Sequence, residues 1–171
     1  MNLVLIGYRC TGKTTIGRIL AERLGWPLVD TDALIQERAG RSIKEIVASG
    51  GWPEFRRMER EVVAAVSAAD RQVVSAGGGA ILDQDNRRAL RAGGKVVLLS
   101  AAPETIWDRM KADPKTIAER PNLTGSGGIQ EVRKVLADRR AAYQSACHFE
   151  VPTDRYSPDE AAARILAWFA P

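Results

Sequence analysis

A chain of 171 residues, 45% hydrophobic and 27% charged, has the size and balance of one globular domain that buries its own core. Its formal charge of +4 is scattered, with no basic run or aromatic-basic ladder, so a nucleic-acid partner is not expected and small polyanions account for the excess equally well. Two cysteines cannot build a disulfide framework and no apolar run reaches membrane-spanning length, so a soluble, unprocessed, cytoplasmic protein without a membrane partner is expected.

Leu3-Val4-Leu5-Ile6 is a short, wholly apolar run, the pattern of a strand buried on both faces. Gly7-Tyr8-Arg9-Cys10-Thr11-Gly12-Lys13-Thr14-Thr15 follows and matches G-x-x-x-x-G-K-[ST], a loop whose backbone N–H groups wrap a polyphosphate. Ile16, Ile19, Leu20 and Leu24 then recur at helical spacing up to Gly25, so the loop opens a helix whose N-terminus attracts anions. Pro27-Leu28-Val29 reads as a second strand ending in Asp30-Thr31-Asp32, two carboxylates where α/β sheets place ligands. Ser42-Ile43-Lys44-Glu45 is a capping box, Gly50-Gly51 ends that helix, and Pro53 opens a longer one with Met58, Val62, Val63 and Val66 on its apolar face. Most of the arginines Arg56, Arg57 and Arg60, which lie elsewhere on it, are expected to be solvated.

Gln72 to Ser75 is a third strand, followed at once by Gly77-Gly78-Gly79. Three residues without side chains make either a tight turn or a place where a ligand meets the backbone closely. A helix over 83–92, a strand over Val96-Val97-Leu98-Leu99 and a helix from Pro103 come next. From Ala112 to Gly128 periodicity vanishes among Pro114, Pro121, Gly125, Gly127 and Gly128, giving a mobile lid or a merely variable loop. Helical spacing resumes from Ile129 to Tyr143, Phe149-Glu150-Val151 is a last strand, and Ser157-Pro158-Asp159-Glu160 caps a final helix. Alternating strands and helices give an α/β fold, a three-layer α/β/α sandwich on a five-stranded parallel sheet in a single domain 1–171. His148 and Trp26, Trp107 and Trp168 are read as structural or packing residues, and Trp52 is placed to line a pocket.

The loop alone specifies nucleotide phosphates. A switch GTPase would need N-K-x-D, which is missing from the sequence, and a large ATPase would need a third strand ending in aspartate rather than glycines. Asp30-Thr31-Asp32, Glu54-Phe55-Arg56, Gly77-Gly78-Gly79, Arg120-Pro121 and Arg139 with Tyr143 stand in the order and spacing of the shikimate kinases, which the whole chain resembles. The resemblance implies a nucleoside-monophosphate-kinase-like P-loop fold, with a core of 1–32, 70–110 and 129–171, substrate-binding helices about 33–69 and a lid about 112–128. It implies ATP-dependent phosphorylation of the 3-hydroxyl of shikimate, a step of aromatic amino acid biosynthesis, by a monomer.

On that resemblance Asp32 takes hydrogen bonds from the substrate diol and acts as base or positioner, while Arg56, Arg139 and Gly77 to Gly79 hold the rest of shikimate. Guanidinium pairs suit a carboxylate, and the R-x-x-x-Y spacing favours Arg139 over the adjacent Arg140. Cys10, Thr11, Gly12, Lys13, Thr14 and Thr15 would bind ATP, Thr14 and Asp30 would hold Mg²⁺, and Arg120 would swing over the phosphates with the lid. Arg109 and Arg155 align with adenine-contacting positions. A related kinase for another polyol acid such as gluconate, and a non-catalytic nucleotide-binding module, are the rival readings. Two departures stand out: Cys10 replaces the family's middle loop glycine, and Asn122 follows Arg120-Pro121 where relatives carry an aliphatic residue. A thiol beside Lys13 and a helix N-terminus favours thiolate chemistry. Alkylation of Cys10 is therefore expected to abolish activity and ATP to protect against it, measured as residual turnover against stoichiometry of labelling.

Overall fold

The computed structural model describes residues 1–113, 122–125 and 127–170. In chain order its elements are β1 (Asn2–Ile6), α1 (Lys13–Leu24), β2 (Leu28–Asp30), α2 (Thr31–Ala39), α3 (Ile43–Ala68) and β3 (Val73–Ser75). There follow a 3₁₀ turn (Ala80–Leu82), α4 (Gln84–Gly93), β4 (Gly94–Ser100), α5 (Pro103–Ala112), α6 (Gly128–Ala146), β5 (Phe149–Pro152) and α7 (Pro158–Phe169). The five strands form one parallel sheet in the order β2-β3-β1-β4-β5, as expected from the alternation of strands and helices.

The central position of β1 explains its apolar run. Leu3 and Leu5 pack with Ile16, Leu20, Ala161 and Ile165 of α1 and α7, and Val4 and Ile6 pack on the other face with Ile35, Phe55, Val62, Leu90 and Tyr143. Each fully buried Leu or Ile here contributes about 1.5–3 kcal/mol relative to exposure. A third cluster, Tyr8 with Ile106, Met110, Val132 and Val135, seats the phosphate loop against α5 and α6.

Local signals place the helices. Ser42 with Glu45 and Ser157 with Glu160 form complete capping boxes, and in each the serine backbone N–H holds the glutamate carboxyl below its ordinary range. The helix begun at Ser42 and the one begun at Pro53 run together as α3, kinked where Gly51 takes φ 72° and ψ 178°. The buried stripe beyond the kink is Phe55, Glu59, Val62, Val63 and Val66, so a carboxylate stands where the apolar pattern points inward, and Met58 is only half-buried. Arg57 and Arg60 are exposed as expected, whereas Arg56 is half-buried.

β4 begins at Gly94, two residues ahead of its apolar run. A Cβ at Gly94 would lie 2.4 Å from the carbonyl oxygen of Asn2, and one at Gly93 would lie 2.4 Å from that of Ser67, so only glycine lets β4 pair there. Asn2 itself is buried. Its Nδ2 donates to Val66 O (3.0 Å) and Ala69 O (2.9 Å), and its Oδ1 accepts from Gln72 N (3.1 Å). The side chain thus ties β1 to the end of α3 and the start of β3. Among the described residues no helix is long and apolar enough to cross a membrane. Asn2→Ala removes three hydrogen bonds to the backbone and is expected to cost about 2–3 kcal/mol, read as a lower urea midpoint at unchanged m.

Candidate active site

The sheet reverses its winding beside β1, and the carboxyl ends of β1, β2 and β3 open there into two adjoining cavities. The first is lined by Arg9, Cys10, Gly12, Lys13, Thr14, Thr15, Asp30, Asp32 and Ser75. Its loop is held from behind. Gly7 has φ 147°, and a Cβ there would lie 2.3 Å from Leu99 O, so the loop can lie against β4 only without a side chain. Thr11 turns inward, its hydroxyl donating to Tyr8 O (2.8 Å), and it is buried rather than among the residues lining this cavity. Thr153, after β5, donates its hydroxyl to Thr11 O (2.9 Å). Lys13 Nζ donates to Gly7 O (2.7 Å) and Tyr8 O (2.8 Å), across the mouth of the loop.

Cys10 adopts φ 60°, the left-handed region that a middle glycine would occupy without strain. Arg109 Nη1 donates to Cys10 O (3.1 Å) and Nη2 to Thr153 O (2.9 Å), so this arginine braces the loop as well as lining a side cavity with Thr153, Tyr156 and Pro158. Arg155 is exposed in the turn after β5 and is not among the residues lining that cavity. Arg120, with Pro121, lies outside the described residues.

Asp30 caps α2, its Oδ1 accepting from Asp32 N (3.0 Å) and Ala33 N (3.1 Å), while Oδ2 accepts from Ser75 Oγ (3.1 Å). Capping therefore aims Asp32, the second residue of α2, between the cavities, and Asp32 with Arg9 lines both. Among the described residues no group of three or more His, Cys, Asp or Glu side chains is arranged to hold a metal ion. The hydroxyl of Thr14 with the carboxylate of Asp30 fits a cation that keeps its waters and arrives with a polyphosphate, which is the habit of Mg²⁺.

The second cavity is lined by Tyr8, Trp52, Phe55, Arg56, Glu59, Gly78, Gly79 and Arg139 together with Asp32. The three glycines owe their identity to close approach, since none has a positive φ. A Cβ at Gly77 would lie 2.5 Å from Asp32 Oδ1, one at Gly78 3.5 Å from Arg139 Nη1, and one at Gly79 2.3 Å from Arg56 Nη2. Arg56 is steered from three sides: Nη1 donates to Glu59 Oε1 (2.7 Å), and its guanidinium carbon lies 5.4 and 5.3 Å from the ring centroids of Trp52 and Phe55. Arg139 is buried, while Arg140 is exposed and faces away into another groove. The Tyr143 hydroxyl, its pKa raised by burial, stays protonated and donates to Gly78 O (2.7 Å).

The fold thus gathers Asp32, Arg56, Gly77 to Gly79 and Arg139 in one place, and Cys10 to Thr15 with Asp30 in the next. Glu59 and Tyr8 were not foreseen. Burial pushes the Glu59 carboxyl up despite the opposing Arg56, and burial also raises the Tyr8 phenol. Glu59 had a signal, a carboxylate inside an apolar helical stripe, whereas Tyr8 sits at an unspecified position of the loop pattern. His148 Nδ1 accepts from Val96 N (2.9 Å), a structural role as expected, and burial keeps its pKa low.

The sequence profile of the family described as "Shikimate kinase" matches residues 9–170. The chain is 46% identical over 166 residues to a shikimate kinase of Symbiobacterium thermophilum, covering 97% of this chain and 94% of that protein. It is 47% identical over 170 residues to one of Oleidesulfovibrio alaskensis, covering 97% of each. Its fold is similar to that of the Acinetobacter baumannii shikimate kinase solved in complex with shikimate, with a TM-score of 0.90 at 32% identity over 98% of this chain and 91% of that one. The Aquifex aeolicus shikimate kinase matches with a TM-score of 0.82 at 32% identity, over 98% and 95% of the two chains.

Relief of the left-handed strain should outweigh the freedom a glycine gains in the unfolded chain, so Cys10→Gly is expected to stabilise the fold by about 0.5–1 kcal/mol. A denaturation midpoint above that of the parent checks this.

Proposed function

The chain belongs to the shikimate kinase family, and we propose on that premise that it transfers the γ-phosphoryl group of ATP to the 3-hydroxyl of shikimate, giving shikimate 3-phosphate and ADP. The observation that carries this reading is the position of Asp32, which lines both the loop cavity and the pocket of Arg56 and Arg139. A phosphoryl donor on one side and a hydroxyl acceptor on the other would meet at its carboxylate. The acceptor chemistry also fits: two guanidinium groups and a glycine floor offer bidentate contacts to one carboxylate on a small polar ring.

In this reading Arg56 and Arg139 hold the shikimate carboxylate and fix the ring over Gly77 to Gly79. Asp32 then takes hydrogen bonds from the diol, orients the 3-hydroxyl in line with the γ-phosphorus and receives its proton as the new P–O bond forms. Because the transition state of phosphoryl transfer is loose, orientation by Asp32 contributes more than its basicity. Lys13 leaves the carbonyls of Gly7 and Tyr8 for the β- and γ-phosphates, and the backbone of Cys10 to Thr15 donates to the remaining oxygens. Thr14 and Asp30 would hold Mg²⁺, which would supply neutralisation of the phosphate charge. Arg120 is assigned to the phosphates and Arg109 and Arg155 to the adenine side, with helices of about 33–69 binding the acceptor and about 112–128 acting as lid. Met1 and Leu82 are the large hydrophobic residues exposed among those described, a surface that suits a monomer, and two free cysteines suit the reducing cytoplasm.

An ADP-release assay run in parallel with shikimate, quinate and gluconate tests the substrate, and turnover is expected with shikimate. No release with shikimate, or faster release with gluconate, overturns the reading. Asp32→Ala is expected to lower kcat by about 100-fold or more while leaving the KM for ATP nearly unchanged. Equal loss of both would make Asp32 a structural carboxylate.

A further inference from the structure

Glu59 is 1% exposed on the inner face of α3, at the wall of the acceptor pocket. Its two oxygens live in different surroundings. Oε1 accepts from Arg56 Nη1 at 2.7 Å, whereas Oε2 is buried with no hydrogen-bond partner among the described residues. Oε2 and Asp32 Oδ1 both lie close to Gly77, where a Cβ would be 3.1 Å from the former and 2.5 Å from the latter. The charged groups acting on Glu59 are Arg56 on its own helix, Asp32 at the start of α2 and Arg139 on α6. The 3₁₀ turn and α4, packed on the same side, contribute the apolar Ala80, Ile81 and Leu90, and Arg9 lines both cavities.

Glu59 therefore owes its ionised form to one close cation, Arg56, with a second anion, Asp32, beside it. That same cation is the one assigned to the substrate carboxylate. We propose that Glu59 takes up a proton from solvent when shikimate binds, so that Arg56 passes from pairing with a protein carboxylate to pairing with the substrate's. The inference rests on the reading of Arg56 and Arg139 as holders of that carboxylate. One O–H bond forms on Oε2, no other covalent bond changes, and the substrate enters as its carboxylate. Oε1 remains an acceptor in the neutral acid, so the guanidinium keeps its aim while its charge becomes available. Burial already favours the neutral form of the Glu59 carboxyl, and the added anion acts in the same direction. Glu59 acts here as a positioning residue whose protonation state is linked to substrate occupancy.

The linkage has a definite sign. A complex that binds more protons than the free protein weakens as pH rises, so the Kd for shikimate should increase by up to about tenfold per pH unit above neutrality. Titration calorimetry of the full chain with shikimate, in phosphate, HEPES and Tris at about pH 7.5, reads the uptake directly as the slope of observed heat against buffer ionisation enthalpy. The expected slope is an uptake approaching about one proton per shikimate. Glu59→Gln keeps the acceptor toward Arg56 and imitates the neutral acid, so it is expected to bind shikimate with no buffer slope and a Kd flat in pH. Binding whose heat is independent of buffer in the parent, or an unchanged slope in Glu59→Gln, overturns this inference and leaves the proposed function standing. Failure of the parent to bind shikimate overturns both, and the parent buffer series decides the question even if the variant does not fold.

Discussion

The chain crosses the proposed acceptor pocket at Gly77 to Gly79 without side chains, and three charged side chains from elsewhere use the space. Asp32, Arg139 and Arg56 come down in turn on the three glycines, at distances that a Cβ at Gly77 or Gly79 would forbid. These side chains come from three helices, α2, α3 and α6, that the strand order β2-β3-β1-β4-β5 brings to one end of the sheet. Removing the glycine floor would push the arginines and the aspartate apart, and a planar carboxylate clamp tolerates such a displacement poorly. Gly77 and Gly79 are thus a packing requirement of the pocket, made by side chains on other elements rather than by local backbone conformation.

The donor side is organised on the opposite principle. There the proposed binding group is the backbone itself, and the side chains hold it. Thr11 ties the loop to Tyr8 O, Thr153 reaches it from the far edge of the sheet, and Arg109 grips Cys10 O. Gly7 lets it lie on β4. Cys10 keeps the left-handed conformation of the loop at a cost of about 1 kcal/mol, which this bracing can absorb. The thiol expected to mark the loop chemically is therefore held in one backbone state.

Between the two sides lie the groups that the fold buries without fully satisfying. Glu59 Oε2 and the Tyr8 hydroxyl are buried and lack hydrogen-bond partners among the described residues, and both belong to residues lining the acceptor pocket. Such groups cost stability and persist where a ligand or a proton completes them. The rest of the core is conventional, with two apolar layers on a parallel sheet and capped helices, and it supplies the rigidity that lets the pocket keep those groups.

Much of this was legible in the residues. The apolar run of β1, the loop pattern, the two capping boxes and the glycine stops are local signals, because strand burial, N-caps and left-handed turns are decided within a few residues. Their order determined the α/β alternation and hence the parallel sheet. The direction in which a helix residue points was less legible. Arg139 and Arg140 differ by one position in the sequence and by burial against exposure in the fold. Glu59 lay in an apolar stripe, yet only the proximity of Arg56, Asp32 and Gly77 shows why a carboxylate is kept there. β4 started earlier than its apolar run because the close approach of Gly94 to Asn2 is a contact across 92 positions, invisible to periodicity. By itself the sequence determined the elements, the sheet type and the phosphate loop, since these follow from short-range backbone chemistry. The tertiary structure decided which charges share a pocket, because that depends on strand order and on side chains from separate helices coming closer to a glycine backbone than a Cβ would allow.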